Sequence, residues 1–282
     1  MAGPPTPRAL LIDADAEFTA ALVAQPGMNG VRFDHASGSM HALRLVRRAG
    51  YDVVVTSPKS PVTEDVALVE EMRDVRRAVK AIVLAPTATA EEVVASLRAH
   101  VFSCFTAPFD VHEIAEMVQR AIQNPDWKDG IQVLSARADW LSLRVDCRRL
   151  AAERLVQFLS ELARDLPEVT RDELLGAFRE IALNAMEHGA GFEPDQMIEV
   201  SAVRTKRAIV YYVKDPGPGF SLEQLPHAAV SNPADDPLAH ADKRVELGLR
   251  PGGFGLLIAS KVVDEFLHSE KGNEVLLIKH LR

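Results

Sequence analysis

Short apolar runs alternating with helical spacing fill the first half of the chain. Residues 9–12, 52–55, 81–84 and 102–105 each read as a strand buried on both faces. Between and after them, apolar residues recur at three- and four-residue intervals over 17–24, 40–49, 66–73, 90–99 and 111–123, the period of amphipathic helices. This β-α alternation predicts an α/β fold, a doubly wound sheet whose ligands, if any, sit at the carboxyl ends of the strands.

The second half is patterned differently. Strand-like residues 131–134 and 140–145 lead into two long helical patterns, 148–165 and 171–188. Period-two strands follow at 197–204 and 207–214, then a Pro-, Gly-, His- and Asp-rich region over 215–251, a helix near 254–266 and a last strand at 273–281. Helices grouped on one side of a mixed, mostly antiparallel sheet make an α+β sandwich. The two patterns meet at Asn124-Pro125-Asp126-Trp127-Lys128-Asp129-Gly130, so residues 1–124 and 131–282 are expected as domains and 125–130 as a linker.

Composition narrows the function classes. With 282 residues, 47% hydrophobic and 26% charged, the chain can fill two cores. A net charge of −8 argues against nucleic acid, which needs clustered Lys and Arg. No stretch approaches the ~20 apolar residues of a membrane helix, and no apolar leader precedes the first acids, so a cytoplasmic protein off the membrane is expected. Cys104 and Cys147 lack metal-site spacing and read as buried free thiols.

Candidate chemistry begins at Glu180-Ile-Ala-Leu-Asn184-Ala-Met-Glu187-His188-Gly189. On a helix, Glu180, Asn184 and Glu187 or His188 share one face. Turned into a pocket, that face suits a divalent cation and a polarised water beside a phosphate; turned to solvent, it is an ordinary polar stripe. Downstream, Asp215-Pro-Gly217-Pro-Gly219 closes a strand with a carboxylate that can accept the exocyclic amino hydrogen of adenine, and with glycines that permit close backbone approach. Arg250-Pro-Gly252-Gly253-Phe254-Gly255-Leu256 opens directly into a helical pattern, whose first N–H groups form an anion site.

Two resemblances follow from these residues. The first half resembles a response-regulator receiver domain through Leu10-Leu-Ile-Asp13, Tyr51-Asp-Val-Val-Val-Thr-Ser57 with Pro61, and Thr106-Ala-Pro108-Phe109. The receiver phosphorylation kit is only partly matched. Asp13 stands without an acidic neighbour, since Ala14 follows it and Asp15 is shifted by one. Ser57 takes the phospho-acceptor position, Ala85 the hydroxyl position and Ala107 the lysine position. A receiver lacking its phospho-acceptor Asp, kept for docking or dimerisation, is the expectation; Ala107-Pro108 matches a bond that is cis in receivers.

The second half resembles the Bergerat ATP-binding fold of gyrase, heat-shock-chaperone and histidine-kinase ATPases, with its three motifs in order. Within that superfamily it is most similar to the anti-sigma-factor serine/threonine kinases. The resemblance implies ATP and Mg²⁺, with Glu180 as general base and Asn184 as Mg²⁺ ligand. It gives Asp215 the adenine, Gly217 and Gly219 the base and the lid hinge, and Gly253, Phe254, Gly255 and Leu256 the phosphate end. His188 lies near the phosphates or serves structure. Asn273 stands where the family commonly has a Thr beside the adenine-site water. Residues 220–252 would be the lid, with Lys243, Arg244 or Arg250 reaching the γ-phosphate or simply solvated. The implied partners are an anti-sigma antagonist protein, a sigma factor and a second copy in a homodimer. A histidine kinase acting on a separate protein and a non-catalytic nucleotide-dependent module are the other readings.

Overall fold

The computed structural model describes residues 6–219 and 255–281. The chain divides into two compact units, Met1–Asp129 and Gly130–Arg282.

In the first unit, strands β1 (Arg8–Ile12), β2 (Arg32–Ala36), β3 (Val53–Val55), β4 (Ala81–Ala85) and β5 (Ser103–Thr106) alternate with helices α1 (Ala16–Val23), α2 (Ser39–Arg48), α3 (Val62–Val75), α4 (Ala90–Arg98) and α5 (Val111–Gln123). All neighbouring strands are parallel, in the order β2-β1-β3-β4-β5. That is the flavodoxin-like, receiver-like order, and it follows from feeding each strand through a crossover helix. β1, β3 and β4 are buried throughout apart from Arg8, which is why they read as unbroken apolar runs.

β2 escapes the sequence reading because it is an edge strand of sequence RFDHA with only its last residue buried. It is held by ionic and aromatic contacts instead. Asp34 pairs with Arg8 and accepts the Tyr51 hydroxyl (3.1 Å), while the Arg8 guanidinium lies 4.8 Å from the Tyr51 ring centroid. Local signals fix the helix starts: Thr89 and Glu92 form a reciprocal capping box on α4, and Asp110 caps α5. From the expected linker, Trp127 packs edge-on against Phe102, with centroids 5.7 Å apart.

The second unit runs β6 (Ile131–Arg137), β7 (Trp140–Asp146), α6 (Arg149–Leu162), α7 (Glu168–Asn184), a π turn (Ala185–Gly189), β8 (Met197–Arg204), β9 (Ala208–Lys214), α8 (Gly255–Val262), β10 (Glu265–His268) and β11 (Glu274–His280). Among the described residues the expected parallel component does not occur: the sheet β10-β11-β9-β8-β7-β6 is antiparallel at every junction. Apolar spacing that predicts one helix through residue 266 is shared between α8 and the short edge strand β10, because Asp264 turns the chain back; its N–H donates to the Ile278 carbonyl at 2.9 Å. Phe178 of α7 packs on Tyr211 of β9, with centroids 5.0 Å apart, so the helices cover the Tyr211 face of the sheet. The core contains Leu141, Leu143, Phe158, Val200, Tyr211 and Leu277. Cys104 and Cys147 are buried free thiols. Among the described residues, no helix is long and apolar enough to cross a membrane.

One buried acid sets a pH dependence. Asp65 on α3 is 2% exposed and accepts the Thr56 hydroxyl (2.6 Å), which in turn accepts the Leu84 N–H (3.0 Å). Burial pushes its carboxyl up from 3.8 to about 7. The fold therefore favours the protonated acid. Its stabilising contribution, up to about 4 kcal/mol, is full below the ordinary carboxyl pKa and lost as pH rises through neutrality. Urea unfolding of the full chain should show the first unit weakening from pH 5 to pH 8. Asp65→Asn should flatten that dependence; an unchanged profile in the variant would contradict the assignment.

Candidate functional site

The site of the second unit is built where three backbone segments meet. α7 buries Leu174, Leu175, Phe178, Ile181 and Ala182 and leaves Glu180 and Asn184 half-buried. The expected helix through His188 does not continue as α-helix: after Asn184 the chain widens into the π turn, a feature often found at functional positions. Glu187 then faces Arg149 (3.8 Å), and His188 is exposed. The turn ends on Gly189, where an added Cβ would stand 2.2 Å from Asp215 Cγ.

Asp215 follows β9 and is 8% exposed. Its Oδ1 accepts the Gly217 N–H at 2.8 Å. Burial raises its pKa, against the lowering effect of that N–H and of the Lys271 charge. Gly217 is bare for a reason: a Cβ there would lie 2.6 Å from the Gly189 carbonyl oxygen. Gly219, at φ +80°, passes so close to the Lys271 carbonyl that a Cβ would fall 1.8 Å from its oxygen.

Asn273 locks β11 to this corner. Its Nδ2 donates to the Asp215 carbonyl (3.1 Å), and its own carbonyl accepts the Asp215 N–H (3.0 Å). Asn273 Oδ1 is buried and has no hydrogen-bond partner among the described residues. An orphaned acceptor costs about 1–3 kcal/mol unless a donor arrives from outside the protein.

About one turn back from the end of α7, Glu180 faces the opening of α8: a Cβ on Gly255 would lie 2.6 Å from Glu180 Oε2. Arg179 Nη1 is 3.7 Å from Glu180 Oε1. The same guanidinium is gripped by Glu153 of α6, with Nε 3.0 and 3.2 Å from its two oxygens. The Arg179–Glu153 pair and Lys271 escaped the sequence reading, since nothing in their spacing marks them. Leu256 is half-buried beside Gly255. Gly253 and Phe254 lie outside the described residues, as do residues 220–252 with Lys243, Arg244 and Arg250.

In the first unit the positions matched to a receiver site are also placed. Asp13 is exposed at φ +48°. The Asp15 carboxylate is engaged as the α1 N-cap, accepting the Phe18 N–H at 2.8 Å. Ser57 is 3% exposed, and its Oγ accepts the Lys59 N–H at 3.2 Å. Ala107-Pro108 is cis.

Comparison with known proteins agrees with the second-unit geometry. The family model of the histidine kinase-like ATPase domain matches residues 144–279, and such a domain implies ATP binding. Over 137 residues the chain is 28% identical to the regulatory protein AtoC of Escherichia coli (strain K12), covering 47% of this chain and 30% of that protein. The chain thus spans under a third of that relative's length. Among solved structures, a response regulator receiver domain protein (CheY-like) from Methanospirillum hungatei JF-1 aligns at 19% identity and TM-score 0.38, covering 43% of this chain and 98% of that one. The Francisella response regulator 1452 receiver domain aligns at 22% identity and TM-score 0.37, covering 42% and 98%. The family match and the strand order together give a histidine kinase-like ATPase domain joined to a receiver-like fold.

Two outcomes test the site. Gly217→Ala drives a methyl group into the Gly189 backbone and should weaken adenine-nucleotide affinity at least about tenfold, measured by fluorescence titration. Because Asp215 must be ionised to act as a pure acceptor and burial raises its pKa, nucleotide affinity should fall as pH is lowered through that raised value. Asp215→Asn should remove the pH dependence; its persistence would remove Asp215 from the adenine role.

Proposed function

We propose that the chain is an ATP-dependent serine/threonine protein kinase of anti-sigma-factor type, acting on a small antagonist protein, with the receiver-like unit as a non-phosphorylated interaction module. The observation that carries this reading is the placement of Glu180. Its carboxylate lies against the start of α8. It stands nine residues, or roughly 13 Å along the helix, from the Gly189–Asp215 contact. That separation is on the order of an extended nucleoside triphosphate.

The residues present suit the ligand. Gly189 and Gly217 bring the helix end hard against Asp215, Gly255 brings the start of α8 against Glu180, and Asn273 Oδ1 lacks a donor among the described residues. Asp215 would accept the adenine amino hydrogen, the first N–H groups of α8 would face phosphate oxygens, and the Asn184 amide oxygen is the hard ligand type that Mg²⁺ takes alongside water and phosphate. Bound Mg²⁺ supplies charge neutralisation at the phosphates. Glu180 accepts the proton of the incoming hydroxyl at Oε, while Arg179, braced by Glu153, holds that carboxylate in place. Positioning of this kind supplies most of the catalysis in phosphoryl transfer.

Two features favour a hydroxyl on a separate protein as the acceptor. α6, the helix preceding the site helix, carries no His that could be phosphorylated ahead of the domain. In the first unit, Asp15 is committed to a helix cap and Ser57 is buried, while Ala85 and Ala107 offer neither hydroxyl nor ammonium. An antagonist protein, a sigma factor and a second copy of the chain are the proposed partners.

Incubation with γ-labelled ATP, Mg²⁺ and antagonist candidates from neighbouring genes should label a serine or threonine. Glu180→Gln should retain nucleotide binding and lose about 10²–10⁴-fold in transfer. Binding without transfer to any candidate would reduce the protein to a nucleotide-dependent binding module, and acid-labile label on histidine would make it a histidine kinase. Acetyl phosphate with Mg²⁺ should leave Asp13 and Ser57 unmodified; a stable adduct on either would overturn the role given to the first unit.

A further inference from the structure

Helix α6 opens on two arginines, Arg148 and Arg149, with no acid in its first turn and no side-chain cap. The positive end of a helix dipole disfavours cations, so the reason for these residues lies in what they touch. Arg148 has a local partner, its Nε lying 3.5 Å from Asp146 Oδ2. Arg149 finds its partners outside α6, in the chain that leaves the site helix.

The Arg149 Nη2 is 3.8 Å from Glu187 Oε2, and its guanidinium carbon stands 4.8 Å from the centre of the Phe192 ring. Those two side chains bracket Gly189, the residue that meets Asp215. The segment that joins them is strained. Gly191 and Phe192 are both left-handed, at φ +61° and +54°. Glycine takes that conformation freely, whereas a bulky side chain does so only where its surroundings impose it. The Gly191 N–H donates to the Glu187 carbonyl (3.1 Å), and the Phe192 N–H to the Met186 carbonyl (2.8 Å). Each bond reaches one residue further back than in the ordinary glycine-terminated helix end, which is the widening that makes this a π turn.

That turn has an alternative. Helical spacing continues through His188, so the same residues could add a regular turn to α7, and contacts from elsewhere decide between the two forms. Re-forming the α-helix would rotate Gly189 away from Asp215. The base from which Arg149 reaches is fixed. Next to it, the Cys147 N–H donates to the Gln196 carbonyl (3.2 Å), and the Asp146 N–H to the Gly130 carbonyl (2.8 Å). The corner between β7 and α6 is therefore stitched on both sides, and one stitch runs to the far end of the loop that Arg149 grips.

We propose that Arg149 is a positioning residue for the nucleotide corner. Through Glu187 and Phe192 it latches the chain after α7 in its π form, which seats Gly189 on Asp215 and sets the wall beside the adenine position. An exposed ion pair is weak by itself. Here the same guanidinium adds a cation–π contact, and the two act together on both flanks of one short turn. Energetic coupling of this kind needs an element with two discrete arrangements, and the π turn is that element. The consequence for nucleotide rests on the ATP-binding reading of the site; the latch itself is a property of the chain without nucleotide.

The test uses the full chain, with far-UV circular dichroism confirming the fold of each variant. Arg149→Ala should speed amide hydrogen exchange at Gly191 and Phe192 at least about fivefold and leave the α7 amides of Phe178 and Ile181 unchanged. It should also weaken Mg-ATP binding about five- to tenfold by isothermal titration calorimetry. Arg149→Lys keeps a cation for both partners and should restore affinity to within about twofold of the wild type, a recovery that general loss of packing would not give. Adding Phe192→Ala to Arg149→Ala should cost less than about twofold more, because both changes remove one contact. Unchanged exchange at Gly191 and Phe192 would overturn the latch whether or not the protein binds ATP. Accelerated exchange with unaltered ATP affinity, or no recovery with Arg149→Lys, would overturn the positioning role. A wild type that binds no Mg-ATP would overturn instead the nucleotide reading, and exchange alone would then decide the latch.

Discussion

The second unit depends on one approach of backbone to side chain: the end of the site helix lies directly against Asp215. Gly189 and Gly217 are bare because each faces the other's segment, and either Cβ would stand within 3 Å of it. The contact fixes the helix to the carboxyl end of β9, and Asn273 fixes β11 to the same residue through two hydrogen bonds. A carboxylate is costly to bury, and the Gly217 N–H offsets only part of that cost. The π turn belongs to the same constraint. An extra residue in the last helical turn carries Gly189 to Asp215 while Glu180 and Asn184 keep their places on the regular helix.

Periodicity made most of this fold legible. Runs such as 81–84 are buried on both faces, so their residue types alone identify them, and strands 197–204 and 207–214 alternate because one face meets helices and the other does not. Two strands stayed hidden. β2 spends its residues on an ion-pair and hydroxyl network around Asp34, and β10 is four residues long with only partial burial. Both are edge strands, where burial imposes least on residue choice. At the candidate site, Glu180, Asn184, Asp215 and Gly217 stand out because their types conflict with their apolar surroundings. The π turn leaves no such mark, since Ala-Met-Glu-His-Gly continues the helical spacing. Arg179 and Glu153 are equally silent: they meet across two helices, 26 positions apart.

The two buried acids show how one perturbation serves different ends. Asp65 and Asp215 are both pushed upward, chiefly by burial. Asp65 has its hydroxyl partner inside the core, in a chain running from Leu84 through Thr56, and is finished as a structural group. Asp215 sits at a strand end beside Asn273, whose side-chain acceptor is unfilled among the described residues. Burial with complete pairing rigidifies a core. Burial with incomplete pairing defines a place for a ligand.

Sheet alternation then ties the two surfaces of the second unit together. Along β9, Lys214 lies on the sheet face opposite Tyr211, and the next residue, Asp215, belongs to the corner of the candidate site. Along β11, Asn273 belongs to that corner, and the next residue, Glu274, shares the face of Lys214. The register sets Lys214 opposite Glu274, and their side chains approach to 3.3 Å. The backbone bond from Asp215 to Asn273 continues the same ladder one step further. A displacement of β9 against β11 therefore cannot alter one surface and spare the other. The small glycine-dependent clearances at Gly189 and Gly217 leave little slack at the two strand ends that hold Asp215 and Asn273.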